Sequence, residues 1–582
     1  MSDTGDAEAE SRTLPEILPP QTDEVTDAAP PIERRRAPRV TGPAIERSKS
    51  AALLVGAGIL LSRLAGLIRQ TMMARYLGVD FAADAFNAAF RIPNMLQNLF
   101  GEGVLSASFI PEYAGLLGKG NEEEATRLAG AVAGMLALVA SIIVLLGVVT
   151  APYLVAIIAN GFTGEKRELT VRLTRILFPG AGLLVFSAWC LGVLNSHRRF
   201  FMSYTAPVLW NLAMVSALVF FHKGRTPVDL AFYLAIGSVV GSALQFGIQL
   251  PLVLSLARGL RPRLTTASQS VRNVFRNFGP AFVSRGVVQI SAYVDAWLAS
   301  YLGNGAVSSF TFAQGIYVLP ISLFGMAISA AELPAMSRAQ GSSVEIAAYL
   351  RGRLSDGLDR IAYFIVPSAI AFLALGDLIV HLLFESGKFG RSDTIWVWQI
   401  LIGSTVGILA STMGRLYSST FYALRDTKTP LRYAVVRVVL TTGLGYLFAL
   451  VVPDLLGIDR KLGAAGLTAS AGLAGWVEFL LLRREMDSRI GRTRLLPARM
   501  ARLWFAALVS ASIPWLYKLF VDQGVPVLSV HSTIVQSKLL ALVLLMVYGF
   551  AYLCITAAFG IPEAKNMVDR GARLLRLGSR AR

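Results

Sequence analysis

The residues that could do chemistry in this chain are charged side chains set inside apolar runs. Arg63 and Arg69 lie in the first such run, within Ser62-Arg-Leu-Ala-Gly-Leu-Ile-Arg69. Asp84, Arg91 and Glu102 lie in the second, Arg285 and Asp295 in the seventh, Glu332 in the eighth and Arg415 in the tenth. A charge near the centre of a bilayer costs on the order of 2.5–3.5 kcal/mol on insertion scales, so such groups face a cavity or a partner. Arginine, rather than lysine, suits an anion with several oxygens, because its planar fork stays charged and binds phosphate through two parallel hydrogen bonds. A water-filled, arginine-lined cavity would accept the headgroup of a lipid-linked diphosphate. A proton- or sodium-coupled exporter of cationic drugs would place carboxylates there instead.

The elements that must carry these charges follow from composition. Of 582 residues, 54% are hydrophobic and only 16% charged, too few to coat the surfaces of a soluble chain of this length. The net charge of +18 would raise nucleic acid as a partner if the basic residues clustered. They fall between apolar runs, so the partner is the membrane and no nucleic acid is expected. About fourteen stretches after residue 50 are long enough to cross the hydrocarbon core as helices. The loops on one side hold about 35 Lys and Arg and those on the other about 11, which puts both termini in the cytoplasm by the positive-inside rule. The expected fold is an all-α integral membrane protein.

Residues 1–50 lack an apolar run and are expected to form a disordered cytoplasmic extension. An internal repeat organises the rest. Tyr76-Leu-Gly78, Leu99-Phe-Gly101 and Pro111 recur as Tyr301-Leu-Gly303, Leu323-Phe-Gly325 and Pro334. That offset, about 224 residues, predicts two parallel six-helix repeats, helices 1–6 and 7–12, with a site between them. The boundaries are an N-terminal half over 51–270, a C-terminal half over 271–485, two further helices over 486–560 and a basic cytoplasmic tail over 561–582. The cysteines Cys190 and Cys554 and the four scattered histidines show neither a disulfide framework nor ligand spacing, so no metal and no cofactor are expected. There is no nucleotide-binding loop and no paired nucleophile and base, which argues against an ATP-driven pump or an enzyme.

The motifs resemble the MurJ (MviN) family, the proposed lipid II flippases of bacterial peptidoglycan synthesis, within the multidrug/oligosaccharidyl-lipid/polysaccharide exporter superfamily. The resemblance runs through Ser62 to Arg69, Ala83-Asp-Ala-Phe86, Phe90-Arg-Ile-Pro-Asn94, Phe100-Gly-Glu-Gly103 and Phe109-Ile-Pro111. It continues in Leu194-Asn195 with Arg199-Phe200, Pro207 to Asn211, Gly387-Lys-Phe389, and Phe421-Tyr422 with Asp426 and Lys428-Thr-Pro430.

The resemblance implies alternating-access transport of lipid II to the periplasmic leaflet of the bacterial inner membrane, with helices 13 and 14 forming a groove for the lipid tail. It maps the family's cavity residues onto Arg63, Arg69 and Asp84, and Arg91, Asn94 and Arg285 are expected to complete the substrate cavity. Glu102, Asp295, Glu332 and Arg415 take gating or supporting roles. Expected partners are lipid II or a related polyprenyl-diphosphate glycolipid, a coupling ion and cell-wall synthesis proteins. The rival readings are a flippase for another such glycolipid, a cation-coupled drug antiporter and a non-transporting cell-wall scaffold. One departure stands out: Ala313-Gln-Gly315 replaces the family's Ala-Asp-Arg, and Arg285 is the expected substitute for the missing cation.

Overall fold

Long apolar runs leave the backbone one way to satisfy its polar groups away from water, and the chain takes it. The computed structural model describes residues 43–570 apart from 101, 266, 494–496 and 523–533. Its helices are α1 (Pro43–Leu77), α2 (Phe81–Phe100), α3 (Glu102–Gly118), α4 (Glu122–Ile158), α5 (Gly164–Ser196), α6 (Phe200–Phe221) and α7 (Pro227–Leu256). There follow α8 (Gln269–Ala299), α9 (Ala306–Pro320), α10 (Ala327–Ser337), α11 (Ser343–Phe384), α12 (Arg391–Ala423), α13 (Lys428–Tyr446) and α14 (Val452–Leu456). The last are α15 (Gly463–Ile490), α16 (Pro497–Asp522) and α17 (Ile534–Ala558). Most of the expected N-terminal extension and the end of the basic tail lie outside the described residues. Helix α1 starts at Pro43, earlier than the apolar run, because proline at a first turn forfeits no hydrogen bond.

Several helices join into single rods. A π-helical turn at Ile321–Met326 links α9 to α10, and another at Leu447–Val451 links α13 to α14. Helices α9–α10 and α13–α14 thus run on as continuous rods. Reciprocal capping boxes fix two starts, Thr226 with Asp229 on α7 and Ser342 with Glu345 on α11. Among the described residues, ten rods are long and apolar enough to cross a membrane. The sequence predicts about fourteen crossings. Helices α1, α2, α3, α8 and α16 fall outside the ten, and the first four carry Arg63, Arg69, Asp84, Arg91, Glu102, Arg285 and Asp295, whereas Glu332 and Arg415 lie on rods among the ten.

Helices α2 and α5–α7 pack together, as do α9–α13 and α15. Helix α8 begins against α3 and α4 and ends against α13 and α15, so it touches both groups. Helices α16 and α17 pack on each other and on α11. A close crossing joins α12 and α15, where Gly407 lies against Gly472 with no room for a β-carbon on either.

Candidate functional site

The first site residue is held by aromatic rings. The Arg69 guanidinium on α1 lies 5.0 Å from the Trp210 ring of α6 and 5.7 Å from the Phe90 ring of α2. Its NH1 approaches the Met214 sulfur at 3.7 Å, and its Nε finds no partner. Phe86, Phe90 and Trp210 stack in sequence, and the Trp210 indole donates to the Ser238 carbonyl and hydroxyl at 3.1 and 3.2 Å. Among the described residues no carboxylate pairs with Arg69. Ring faces hold a guanidinium without cancelling its charge, so the cation remains available to an anion. Beside it a small pocket is lined by Phe90, Pro93, Asn94, Ser238 and Ser242 among others. Arg63 is exposed on the same helix.

Arg91 bridges toward the other helix group. It donates to the Thr311 hydroxyl at 3.4 Å and lies 5.7 Å from the Phe310 ring, both on α9. Its carbonyl accepts from the Tyr293 hydroxyl of α8 at 3.2 Å. Asp295, two residues beyond Tyr293, has an Oδ1 without a described partner and lies within the electrostatic reach of both Arg91 and Arg437. Arg437 on α13 pairs with Glu478 on α15 at 3.1 Å. Arg415 on α12 is exposed yet sits within electrostatic reach of Tyr317, Arg437 and Glu478, which belong to three other helices.

Sequence reasoning assigns Asp84 to the substrate cavity. In the conformation described Asp84 is fully buried. Its Oδ2 accepts from Lys166 Nζ at 2.6 Å and from the Gly305 amide at 2.7 Å, while Oδ1 accepts from the Ser308 amide at 2.7 Å. Gly305 and Ser308 belong to the start of α9, whose free amides and dipole attract an anion. Lys166 also donates to Asn304 Oδ1 and the Gly303 carbonyl, at 3.3 and 3.4 Å. Around this point Gly161 donates to Ser300 Oγ, Asn160 to the Tyr301 hydroxyl, and Lys388 to the Arg75 carbonyl. The turns α1–α2, α4–α5, α8–α9 and α11–α12 are thereby tied together into one closed face.

Glu332 is likewise buried away from the cavity residues. It pairs with Arg353 at 2.6 Å and Arg360 at 3.4 Å, which pins α10 to α11. Arg285 lies in α8 and Glu102 in α3, but their side chains are outside the described residues. The space that a side chain at Gly315 would enter is occupied by Gln70 of α1, so an arginine could not be accommodated here without displacing it. Lys166, Trp210, Arg437 and Glu478 are additions that sequence reasoning missed.

This arrangement of helices is shared with solved membrane proteins. A solved structure described as the lipid II flippase MurJ in an inward closed conformation superposes with a TM-score of 0.71 at 22% identity, covering 87% of this chain and 98% of that one. An inward-facing MATE family multidrug transporter of the MOP superfamily superposes at 0.61, with 19% identity over 75% of this chain and 98% of its own.

The chain belongs to the lipid II flippase MurJ family, whose model matches residues 73–535. A probable lipid II flippase MurJ of Rhizobium meliloti is 32% identical over 79% of this chain and 84% of its own length. The lipid II flippase MurJ of Burkholderia cenocepacia is 32% identical over 74% and 82% respectively. The protein is thus a multi-pass membrane protein of a transporter family with bacterial relatives.

Proposed function

We propose that this protein carries lipid II, the lipid-linked peptidoglycan precursor, from the cytoplasmic to the periplasmic leaflet of the bacterial inner membrane by alternating access. The observation that carries the reading is Arg69, a half-buried cation held by rings with no carboxylate beside it among the described residues, in a member of a lipid II flippase family. A drug antiporter taking cationic cargo would not keep such a charge unmatched. Transport, not bond chemistry, is the activity.

The arginine-rich loops belong in the cytoplasm, with both termini, which puts the closed face tied through Asp84 on the periplasmic side. Residues 51–270 and 271–485 act as two halves that rock against each other, and 486–560 receives the lipid tail. Arg63, Arg69, Arg91, Asn94, Arg285 and Arg415 meet the diphosphate and its sugars. Binding of that anion relieves repulsion among the arginines and favours closure on the cytoplasmic side. Asp84 then releases α9, and the periplasmic side opens. The membrane potential can add about 2.3 kcal/mol per charge moved through 100 mV.

The test is rescue of a bacterium depleted of its own lipid II flippase, with surface-exposed lipid II as the readout. Wild type is expected to restore exposure and Arg69→Ala to abolish it at equal protein level. Equal rescue by Arg69→Ala would sink the site assignment. Restored export of a different polyprenyl-diphosphate glycolipid, without lipid II, would sink the substrate.

A further inference from the structure

Two turns in this protein share a backbone feature that its composition otherwise avoids. Twelve glycines adopt positive φ among the described residues, and only two residues of any other type do so: Arg198 at 59° and Arg425 at 60°. A side chain in this left-handed region crowds its own carbonyl, which is why glycine takes it elsewhere. Arg198 ends α5 and Arg425 ends α12, and the two turns match bond for bond. His197 donates to the Val193 carbonyl as Leu424 does to Thr420. Arg198 donates to Asn195 as Arg425 does to Tyr422, and Arg199 to Leu194 as Asp426 does to Phe421. Glycine would serve both turns with less strain, so it is the side chains that account for the arginines.

Neither guanidinium forms an ion pair with a described residue, although Arg489 and the acid Asp426 next to Arg425 pair with each other at 2.8 Å. Both arginines are exposed. Each is flanked by a further cation and by large apolar side chains open to the surroundings. Arg199 and Phe201 accompany Arg198, while Lys428, Tyr422 and Leu431 accompany Arg425. Cations beside exposed aromatic and aliphatic groups at the ends of apolar helices fit the level of lipid headgroups. The arginine fork fits two oxygens of a phosphodiester. Both turns lie on the face of the arginine-rich loops, one in each helix group.

We propose that Arg198 and Arg425 are a matched pair of sites for the phosphate of anionic membrane phospholipids, one on each half of the protein. Bound headgroups would hold the ends of α5 and α12 at a common depth while the halves move. The same phosphate chemistry could be supplied by a polyprenyl-diphosphate substrate, and the experiment separates the two sources.

The full chain is reconstituted in nanodiscs of phosphatidylcholine alone, of phosphatidylcholine with phosphatidylglycerol, and of phosphatidylcholine with undecaprenyl diphosphate, and its apparent melting temperature is read. Wild type is expected to melt higher with phosphatidylglycerol. The double variant Arg198→Gly/Arg425→Gly is expected to match or exceed wild type in phosphatidylcholine, since glycine relieves the backbone, and to lose most of the phosphatidylglycerol gain. A double variant that keeps the whole gain overturns the proposal. So does one that melts lower in phosphatidylcholine, because the arginines then hold the fold itself. A gain from undecaprenyl diphosphate that the double variant loses, with its phosphatidylglycerol gain intact, assigns the pair to the substrate and overturns the phospholipid reading.

Discussion

The Asp84 carboxylate of α2 and the Lys166 ammonium of α5 meet at 2.6 Å, and the same carboxylate caps the first amides of α9. One buried acid therefore joins a neighbour in its own helix group to the end of a helix in the other. Breaking a buried ion pair from one side leaves an uncompensated charge and costs about 3–5 kcal/mol. Lys166→Met is accordingly expected to loosen the closed face. A cysteine introduced at Ser308, buried beside Asp84, should then react faster with a membrane-impermeant maleimide added from outside the cell. Unchanged labelling would show that the face is held by its other bonds.

The Arg69 box makes a different demand. Phe90 and Trp210 present ring faces that a flat guanidinium covers and a compact ammonium does not, so charge alone is insufficient. Arg69→Lys is expected to lower flipping at least about tenfold although it keeps the positive charge, the loss of roughly 1.4 kcal/mol or more of binding that a desolvated cation–π contact supplies. Trp210→Leu should have the same direction with Arg69 intact. Transfer of fluorescent lipid II across proteoliposomes measures both.

How much of this was legible beforehand depends on contrast. Arg63, Arg69, Arg91 and Asp295 stand out in apolar runs, so hydropathy alone marks α1, α2 and α8 as the functional helices. Lys166 had no such contrast. It sits in Glu165-Lys-Arg-Glu168, which reads as a solvated turn, and only the fold turns that one side chain inward to Asp84. Arg437 and Glu478 lie on separate helices, and their pairing is a fact of packing that no local spacing encodes. Asp84 and Glu332 were recognisable as buried acids, but their roles depend on which partners arrive, an α9 terminus and two arginines of α11.

Glycine at helix crossings gives a prediction about stability alone. A β-carbon on Gly407 would strike the Gly472 backbone, which cannot rotate away, whereas one on Gly443 would meet open space. Overpacking of this kind costs about 1–3 kcal/mol. Gly407→Ala should lower the apparent melting temperature in detergent by several degrees and Gly443→Ala should leave it unchanged or raise it slightly. Equal effects would mean that α12 and α15 can separate freely.

The turn after α12 carries a pH dependence that can be worked through. Burial disfavours the charged form of Asp426, but hydrogen bonds from the Thr429 hydroxyl and amide and from Arg489 outweigh it and hold the carboxyl down to about 2, from an ordinary 3.8. A depressed acid stabilises the fold at pH values above its unfolded value and stops doing so as pH falls through its folded one. The contribution, reduced by solvent screening at this partly exposed turn, is therefore present above about pH 4 and lost as pH falls towards 2. Asp426→Asn should melt lower than wild type at neutral pH, and the gap should close as pH is taken from 4 to 2. A gap that persisted at pH 2 would mean that Asp426 acts through its shape and hydrogen-bond geometry, not through its charge.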